Sequence, residues 1–128
     1  MNSESILLPV IPLRGITIFP NMIIHFDIGR EKSVASLEQA MLKDGNIFLV
    51  TQKDPNLELP EDKNDIYSIG TICKIKQILK LPKGGATRVL VEGVERAAII
   101  DLIDDKKFKE VIVEKIDDEL NLKDENED

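Results

Sequence analysis

Apolar residues recur with two different periods along this chain. Every second residue of Met22–Ile28 is apolar, which is typical of a β-strand with one buried face. Between Glu31 and Lys43 the apolar residues form one stripe at helical spacing, which predicts the principal α-helix at about 31–43. The residues of this stripe are Val34, Leu37, Ala40 and Met41. Gly45 suits the left-handed position that follows a last helical turn.

The apolar pattern predicts several further strands. Ile6–Leu13 contains Pro9 and Pro12, and because proline cannot donate to a sheet ladder we expect an edge strand or irregular pairing there. The later strand-like segments are Ile47–Thr51, Thr71–Leu81, Thr87–Val94, Arg96–Ile103 and Phe108–Ile116. Short strands, hairpin turns and one helix predict a mainly β, α+β domain. We expect a closed or nearly closed antiparallel sheet with the helix plugging one opening.

Three of these segments carry more detailed predictions. In Thr71–Leu81 the alternation places lysines opposite an apolar face. The apolar set is Cys73, Ile75, Leu79 and Leu81, and the lysines are Lys74, Lys76 and Lys80. Thr87–Val94 is expected to end near Gly93. Asp54–Asp65 holds two prolines and five acidic residues, which predicts a long exposed loop of a kind that is often functional.

The net charge of −7 over 128 residues is concentrated at one end. Of the 24 acidic and 17 basic residues, seven and one lie in 117–128, so residues 1–116 carry a net charge of only −1. We expect one β-rich domain over 1–116 and an acidic, disordered linker over 117–128. The nearly neutral body lacks the basic excess of a nucleic-acid-binding surface, which argues against a nucleic-acid partner.

The sequence shows no pattern that indicates a catalytic or metal-binding site. Neither a P-loop nor a Gly-x-Ser-x-Gly elbow occurs. The single cysteine, Cys73, and the single histidine, His25, are interpreted as structural residues, so we expect no catalytic residue, no cofactor and no metal. The single cysteine, together with the lack of a signal peptide and of a membrane-length apolar run, predicts a cytoplasmic protein without a membrane partner.

A cluster of apolar residues around one turn is the candidate peptide-binding site. Its members are Ile16, Phe19, Pro20, Met22 and Ile23. Apolar side chains that a turn cannot bury together are typical of interaction sites. The same side chains could instead cap the open end of the sheet, and the sequence leaves both interpretations open.

Several short motifs occur in a characteristic order between Leu8 and Ile116. They are Pro-Leu-Arg at 12–14, Phe-Pro at 19–20, Gly-Arg-x-x-Ser at 29–33, the strand entry at 67–70 and Val-x-Gly-x-x-Arg at 91–96. In this combination the sequence resembles the amino-terminal domain of Lon, the bacterial ATP-dependent protease. The resemblance implies a PUA-like pseudo-barrel and carries over no catalytic residue, because the family's ATPase and Ser-Lys protease residues match no position here.

The resemblance implies a non-catalytic module for substrate recognition and assembly. The parent protein would be an ATP-dependent serine protease that degrades damaged, misfolded and regulatory proteins, with ATP and magnesium bound outside this chain. The expected partners are unfolded or damaged polypeptides and the other subunits of a hexamer. The alternative is an architectural domain that spaces the hexamer by self-association and does not touch substrate. The strand near Pro9 and Pro12 and the acidic linker favour this alternative.

Overall fold

The computed structural model describes residues 5–57, 60, 63–82, 85–103 and 107–116. Within these residues the regular elements are β1 (Ser5–Leu13), β2 (Ile23–Ile28), α1 (Glu31–Met41), β3 (Asn46–Thr51), β4 (Ile69–Lys80), β5 (Thr87–Ile103) and β6 (Glu110–Lys115). A short 3₁₀ turn covers Lys63–Asp65. The linker predicted at 117–128 lies outside the described residues.

The strands form one mixed sheet that closes on itself. The order is β2-β5-β4-β3-β1-β6, and β6 also pairs with β5, so that five strands form a ring and β2 extends it at β5. The predicted mainly β fold with one principal helix is confirmed. One pair, β1 with β3, is parallel where an antiparallel sheet was expected. Parallel neighbours need a crossover connection, and the chain through β2 and α1 provides it.

Strand β1 changes its neighbour at Pro9. Its first half, Ser5–Pro9, is antiparallel to β6, and its second half, Val10–Leu13, is parallel to β3. Because each half has its ladder mainly on one side, Pro9 and Pro12 can occupy positions where a missing N–H costs no ladder bond. The prediction of irregular pairing is therefore confirmed. The alternative of an edge strand is wrong, since β1 lies between two strands.

Strand β5 is continuous over 17 residues and belongs to both parts of the sheet. On one side its first part pairs with β2 and its last part pairs with β6. On the other side it pairs with β4. The predicted division into Thr87–Val94 and Arg96–Ile103 is therefore wrong. Gly93 is buried inside the strand, and the register shift beside it leaves Val94 unmatched as a β-bulge. Such an extra residue turns the following side chains to the opposite face.

Two hydrophobic clusters occupy opposite faces of the sheet. The first lies under α1, β2 and the loop before β2, and its members include Ile11, Phe26, Leu37, Ile47 and Val89. The second lies inside the ring of five strands, and its members include Leu8, Phe48, Ile72, Ala97 and Val111. Strands β1 and β3 contribute to both clusters. This explains why their sequences are apolar at nearly every position.

The predicted faces of β4 are correct at its start and wrong at its end. Cys73 and Ile75 are buried and the three lysines are exposed, as expected. A second bulge follows Ile75 and reverses the alternation, so that Ile78 packs against the first cluster. Leu79 is consequently 53% exposed, and Leu81, beyond the strand, is only half-buried.

Helix α1 packs on β1 and β3. Leu37 and Ala40 join the first cluster, so the helix covers a face of the sheet, where the sequence predicted that it plugs an opening. It ends at Met41, two residues before the predicted end, and Gly45 has the expected left-handed φ of 79°. Among the residues described, no helix has the length and apolar character to cross a membrane.

Arg30, the residue before α1, connects the helix to the ends of two strands. Its Nη1 donates to Oε1 of Gln52 at 3.1 Å, and its Nη2 donates to the carbonyl oxygen of Pro12 at 2.8 Å. Charge-assisted hydrogen bonds of this kind are stronger than neutral ones. Arg30 therefore fixes the spacing between the ends of β1 and β3.

Buried polar side chains hold the long loop after β3 against the ring of strands. Gln52, which is 2% exposed, donates from Nε2 to the carbonyl oxygens of Asp54 at 3.2 Å and Leu57 at 2.8 Å. Lys109, which is 3% exposed, donates from Nζ to the carbonyl oxygen of Pro60 at 2.6 Å. Pro60 is itself buried. The prediction of an exposed loop therefore holds at 54–56 and 63–64 and is wrong at Pro60.

Candidate functional site

A groove of about 370 Å³ opens between the loop before β2 and the start of β4. Its lining comes from Thr17–Phe19 of the loop, Tyr67–Thr71, the strand ends at Leu13 and Leu49–Thr51, and Arg96 of β5. Segments that are distant in sequence therefore meet at one concave surface, which is the usual form of a ligand site.

The regular ladder between β3 and β4 is interrupted beside the groove. It reaches Leu49 opposite Thr71, and β4 continues back to Ile69 against β5, while beyond the interruption the N–H of Tyr67 donates to the carbonyl oxygen of Thr51 at 3.0 Å. Gly70 lies at the interruption. A Cβ on this residue would come within 2.6 Å of the carbonyl oxygen of Leu49 and of the Phe48 ring. Glycine therefore lets β4 pass close to β3 at the base of the groove.

Hydroxyl groups on strands β3 and β4 hold the loop before β2, which forms one wall of the groove. Oγ1 of Thr51 donates to the carbonyl oxygen of Ile16 at 2.7 Å, and Oγ1 of Thr71 donates to that of Ile18 at 2.5 Å. Thr71 and Ile18 are both buried. A buried carbonyl that loses its partner is costly, so the second bond fixes the loop backbone beside the groove.

Gly93 holds the other end of the same loop. Its N–H donates to the carbonyl oxygen of Met22 at 2.8 Å, and the N–H of Asn21 donates to the carbonyl oxygen of Gly93 at 2.9 Å. Asn21 has a left-handed φ of 72°. The N–H of Met22 also donates to the carbonyl oxygen of Phe19 at 3.2 Å. The chain therefore reverses tightly and presents the Phe19 side chain at its tip.

Three apolar side chains at the groove are exposed to solvent. Phe19 is 54% exposed, Tyr67 is 51% exposed and Ile69 is 42% exposed. Exposed apolar side chains clustered at a concave surface are typical of an interaction site. Because the loop and β4 are both held by hydrogen bonds, this cluster exists before any ligand binds.

Arg96 supplies the only charge among the described residues that line the groove. The neighbouring Glu95 lines a different groove, on the other side of β5, and its Oε1 lies 3.5 Å from Nζ of Lys115. Arg88, near the other end of β5, donates from Nε to Oδ1 of Asp27 at 2.8 Å, and this hydrogen bond lowers the pKa of Asp27. The groove is therefore mainly apolar, with four serine or threonine side chains and one cationic side chain in its lining.

The five side chains predicted to bind peptide fall into different places. Phe19 lines the groove. Ile16 and Met22 are half-buried and pack against the first cluster, which is what the capping interpretation expects. Pro20 is half-buried in the turn, and Ile23 is 65% exposed at the start of β2. Of the five, Phe19 is the one that the fold places with groove residues from elsewhere in the chain.

Three groove residues were not recognised as site residues from the sequence. Tyr67 and Ile69 lie at the entry to β4, and Arg96 pairs with Thr71 across the β4–β5 ladder. The 67–70 strand entry and the arginine at 96 belong to the motifs that carry the family resemblance. Nothing in the one-dimensional pattern indicates that they share a groove with Phe19, because the strand register brings them together.

The single cysteine and histidine lie away from the groove. Cys73 is completely buried, and burial raises the pKa of its thiol to about 12, which keeps it protonated and unreactive at neutral pH. His25 is exposed on β2, beside a cavity that Gln77 and Arg88 also line. In the described part of the chain, no group of three His, Cys, Asp or Glu side chains is arranged to hold a metal ion.

The sequence matches the profile of one protein family over nearly its full length. This family is the ATP-dependent protease La (LON) substrate-binding domain, and residues 7–128 match it. The chain is 52% identical over 121 residues to Lon protease of Clostridium acetobutylicum and 45% identical over 120 residues to Lon protease 1 of Bacillus subtilis. The alignments cover 94% and 92% of this chain but only 15% of each relative.

Solved structures show the same fold at lower sequence identity. The N-terminal domain of the Mycobacterium avium complex Lon protease matches with a TM-score of 0.69 and 22% identity, over 87% of this chain and 55% of that one. A Lon N-terminal domain protein from Xanthomonas campestris matches with a TM-score of 0.66 and 12% identity, over 88% of this chain and 60% of that one.

Proposed function

Because this chain belongs to the substrate-binding domain family of the ATP-dependent protease La (Lon), we propose that its groove binds exposed apolar segments of unfolded polypeptides. The observation that carries the proposal is the group of exposed apolar side chains, Phe19, Tyr67 and Ile69, around the groove. A segment that inserts apolar side chains there removes apolar surface of both partners from water, which is the main driving force for such association.

The size of the groove supports recognition of a short segment. At about 370 Å³ it is near the lower end of the roughly 300–1,000 Å³ range of small-ligand pockets. One or two large side chains fill such a volume, so each domain makes a weak, sequence-tolerant contact. Several copies tethered in one assembly would bind a long unfolded chain more tightly than one copy, because tethering raises the effective concentration.

The proposal assigns recognition to this chain and catalysis to other parts of the parent protein. The family description names a substrate-binding domain of an ATP-dependent protease, and the relatives are Lon proteases of which this region is a small part. ATP hydrolysis and peptide-bond cleavage would then occur outside this chain. This chain would hold a substrate until the part of the parent protein that hydrolyses ATP engages it.

A titration with a labelled unfolded polypeptide of apolar composition tests the proposal. We expect NMR shifts confined to Phe19, to Tyr67–Thr71 and to their neighbours. Phe19→Ala removes an exposed aromatic side chain, so it should weaken binding about tenfold, as for an aromatic interface anchor. It should change the free energy of unfolding by less than about 0.5 kcal/mol, as is usual for surface positions.

The matched control is Leu42→Ala. Leu42 is 80% exposed and apolar but lies at the end of α1, outside the groove lining. Its truncation should leave the affinity unchanged. If Leu42→Ala weakens binding as much as Phe19→Ala, or if the shifts map to another surface, the groove is not the recognition site.

A further inference from the structure

Strand β2 has a neighbouring strand on one side only. Among the residues that the structure describes, it pairs with β5 and with no other strand, whereas each strand of the closed ring lies between two others. Helix α1 packs on β1 and β3. The pairing of β2 with β5 covers all six residues of β2 without a register shift. Strand β2 is therefore a regular strand with one open side.

The backbone groups on the open side follow from the hydrogen bonds on the paired side. In an antiparallel pair, residues that bond to the partner strand alternate with residues that do not. Gly93 of β5 donates its N–H to the carbonyl oxygen of Met22, so the even-numbered residues of β2 bond to β5. The odd-numbered residues, Ile23, His25 and Asp27, direct their N–H and C=O groups to the open side. No turn or loop of the described chain bonds to these groups.

The open edge of β2 lacks the features that usually block such an edge. Natural proteins protect edge strands with proline, lysine or a bulge, and β2 contains none of these. Its one acidic side chain, Asp27, is held over β5, where Arg88 donates to both carboxylate oxygens at 2.8 and 3.2 Å. This charge is therefore compensated on the paired side of the strand.

From this arrangement we propose that the open edge of β2 binds an extended segment of an unfolded polypeptide as an added strand. The alternating N–H and C=O groups of an edge are complementary to the backbone of another extended chain. Because the bonds involve the backbone, segments of many different sequences can form them. The inference rests on the proposed function for the class of ligand, and it goes further by assigning a second contact outside the groove.

The open edge begins beside the loop that forms one wall of the groove. Strand β2 starts at Ile23, directly after the turn that presents Phe19. Ile23 is 65% exposed, and Ile24 is half-buried on the opposite face of the strand. Side chains of an added strand would lie next to both isoleucines, so apolar residues of the segment lose contact with water there.

The length of β2 argues against a second copy of this chain as the occupant. Six residues span about 20 Å, and one edge of that length is too small to supply the roughly 1,000 Å² of a specific dimer interface. A segment of a long unfolded chain needs only a weak contact at the edge. When another part of the same chain lies in the groove, the two contacts act together.

Amide hydrogen exchange of the whole chain, with and without an unstructured apolar peptide, tests the inference. In the free protein the amides of Ile23, His25 and Asp27 should exchange fast, and those of the even-numbered residues of β2 should exchange slowly. When the peptide occupies about nine-tenths of the protein, exchange at the three odd-numbered positions should slow by up to about tenfold. Peptide bound in the groove alone would leave these three amides unprotected.

Two variants at one position separate the backbone from the side chain. His25→Pro removes one donor of the open edge, and proline is tolerated where the N–H faces solvent. It should weaken peptide binding about three- to tenfold, as expected for the loss of one or two hydrogen bonds. His25→Ala is the matched control, because it removes the same exposed side chain and keeps the N–H. It should bind like the wild type.

The outcomes separate this inference from the proposed function. If the peptide shifts Phe19 and Tyr67 but leaves the three edge amides unprotected, the added strand is wrong and the groove remains the binding site. Protection of the edge amides without shifts in the groove supports the added strand and contradicts the groove. If neither changes, both conclusions fail.

Two further results would overturn the added strand. If the edge amides become protected without peptide, and more so at higher protein concentration, the occupant is a second copy of this chain. If His25→Ala weakens binding as much as His25→Pro, the side chain and not the backbone makes the contact. The exchange pattern of the wild-type protein decides the matter even if His25→Pro does not fold.

Discussion

The carbonyl oxygen of Phe19 occupies the space that a Cβ atom on residue 93 would need. Because residue 93 is a glycine and has no Cβ, the loop that carries Phe19 can lie directly on strand β5. The two residues belong to separate parts of the sequence, and two backbone hydrogen bonds of Gly93, to Asn21 and Met22, hold them together.

Gly93→Ala should push this loop away from β5. Overpacking of this kind costs about 1–3 kcal/mol, which urea-induced unfolding measures. NMR shifts should be largest at Asn21 and Met22, and affinity for an apolar peptide should fall. The matched control is Gly29→Ala, because a Cβ at Gly29 meets nothing within 4 Å. Equal destabilisation by the two substitutions would mean that the contact with Phe19 is not the cause.

Thr71→Val should remove the buried hydrogen bond to the carbonyl oxygen of Ile18 with little change of shape. An unpaired buried carbonyl costs about 1–3 kcal/mol, so stability in urea should fall by that amount. The loop should also become more mobile, with faster amide exchange near Phe19. Thr71→Ser retains the hydroxyl and should lose much less stability. A Thr71→Ser variant as unstable as Thr71→Val would assign the effect to the methyl group instead.

Arg30→Lys should weaken the connection between the ends of β1 and β3. Lysine keeps the charge, but a single ammonium group cannot reproduce the two bonds to Gln52 and Pro12. We expect a loss of about 1–2 kcal/mol in chemical denaturation. Arg14→Lys, at an exposed position, is the matched control and should be neutral. The connection is dispensable if both variants unfold at the same urea concentration.

Cys73 should report global unfolding by its reactivity with a thiol reagent. It is completely buried and its pKa is raised to about 12, so at pH 8 the folded protein should react only as fast as it unfolds, whereas the urea-unfolded chain should react at once. Fast labelling of the folded protein, unchanged by stabilising conditions, would show that Cys73 is accessible without unfolding.

The same thiol makes stability depend on alkaline pH. In the unfolded chain the thiol has its ordinary pKa of 9.0, while burial in the folded protein raises this pKa to about 12. The unfolded state therefore binds fewer protons in this range, and stability should fall as pH rises from 9 towards 12. Cys73→Ala, although less stable at neutral pH, should show a flatter alkaline profile. Parallel profiles for the two proteins would contradict this assignment.

The elements with one uninterrupted period are predictable from the sequence. The helical stripe of Val34, Leu37 and Ala40 locates α1 to within two residues of its end, and the alternation of Phe26 and Ile28 locates β2. Some of the failures occur where one extra residue changes the face of a strand. Bulges cause the error at Leu79 and turn β5 at Val94, and no feature of the local sequence marks either position.

Only part of the groove is predictable. Phe19 is recognisable because it lies in an apolar turn, whereas Tyr67, Ile69 and Arg96 become groove residues through the pairing of β4 with β5. Gly93 was expected to end a strand, since glycine usually weakens one. It instead lies within β5 because another backbone passes over it, a contact that sequence periodicity does not contain.

The exchange of neighbours in β1 has a consequence for how the domain is made. During synthesis Ser5–Pro9 emerges first among the six strands, and its partner β6 emerges last. Until Glu110–Lys115 has left the ribosome, the ring cannot close and the second cluster lacks Val111 and Val113. Contacts between such distant segments form slowly. The ring of strands can therefore close only after the last strand has been synthesised, and until then the residues of β1 in the second cluster lack these partners.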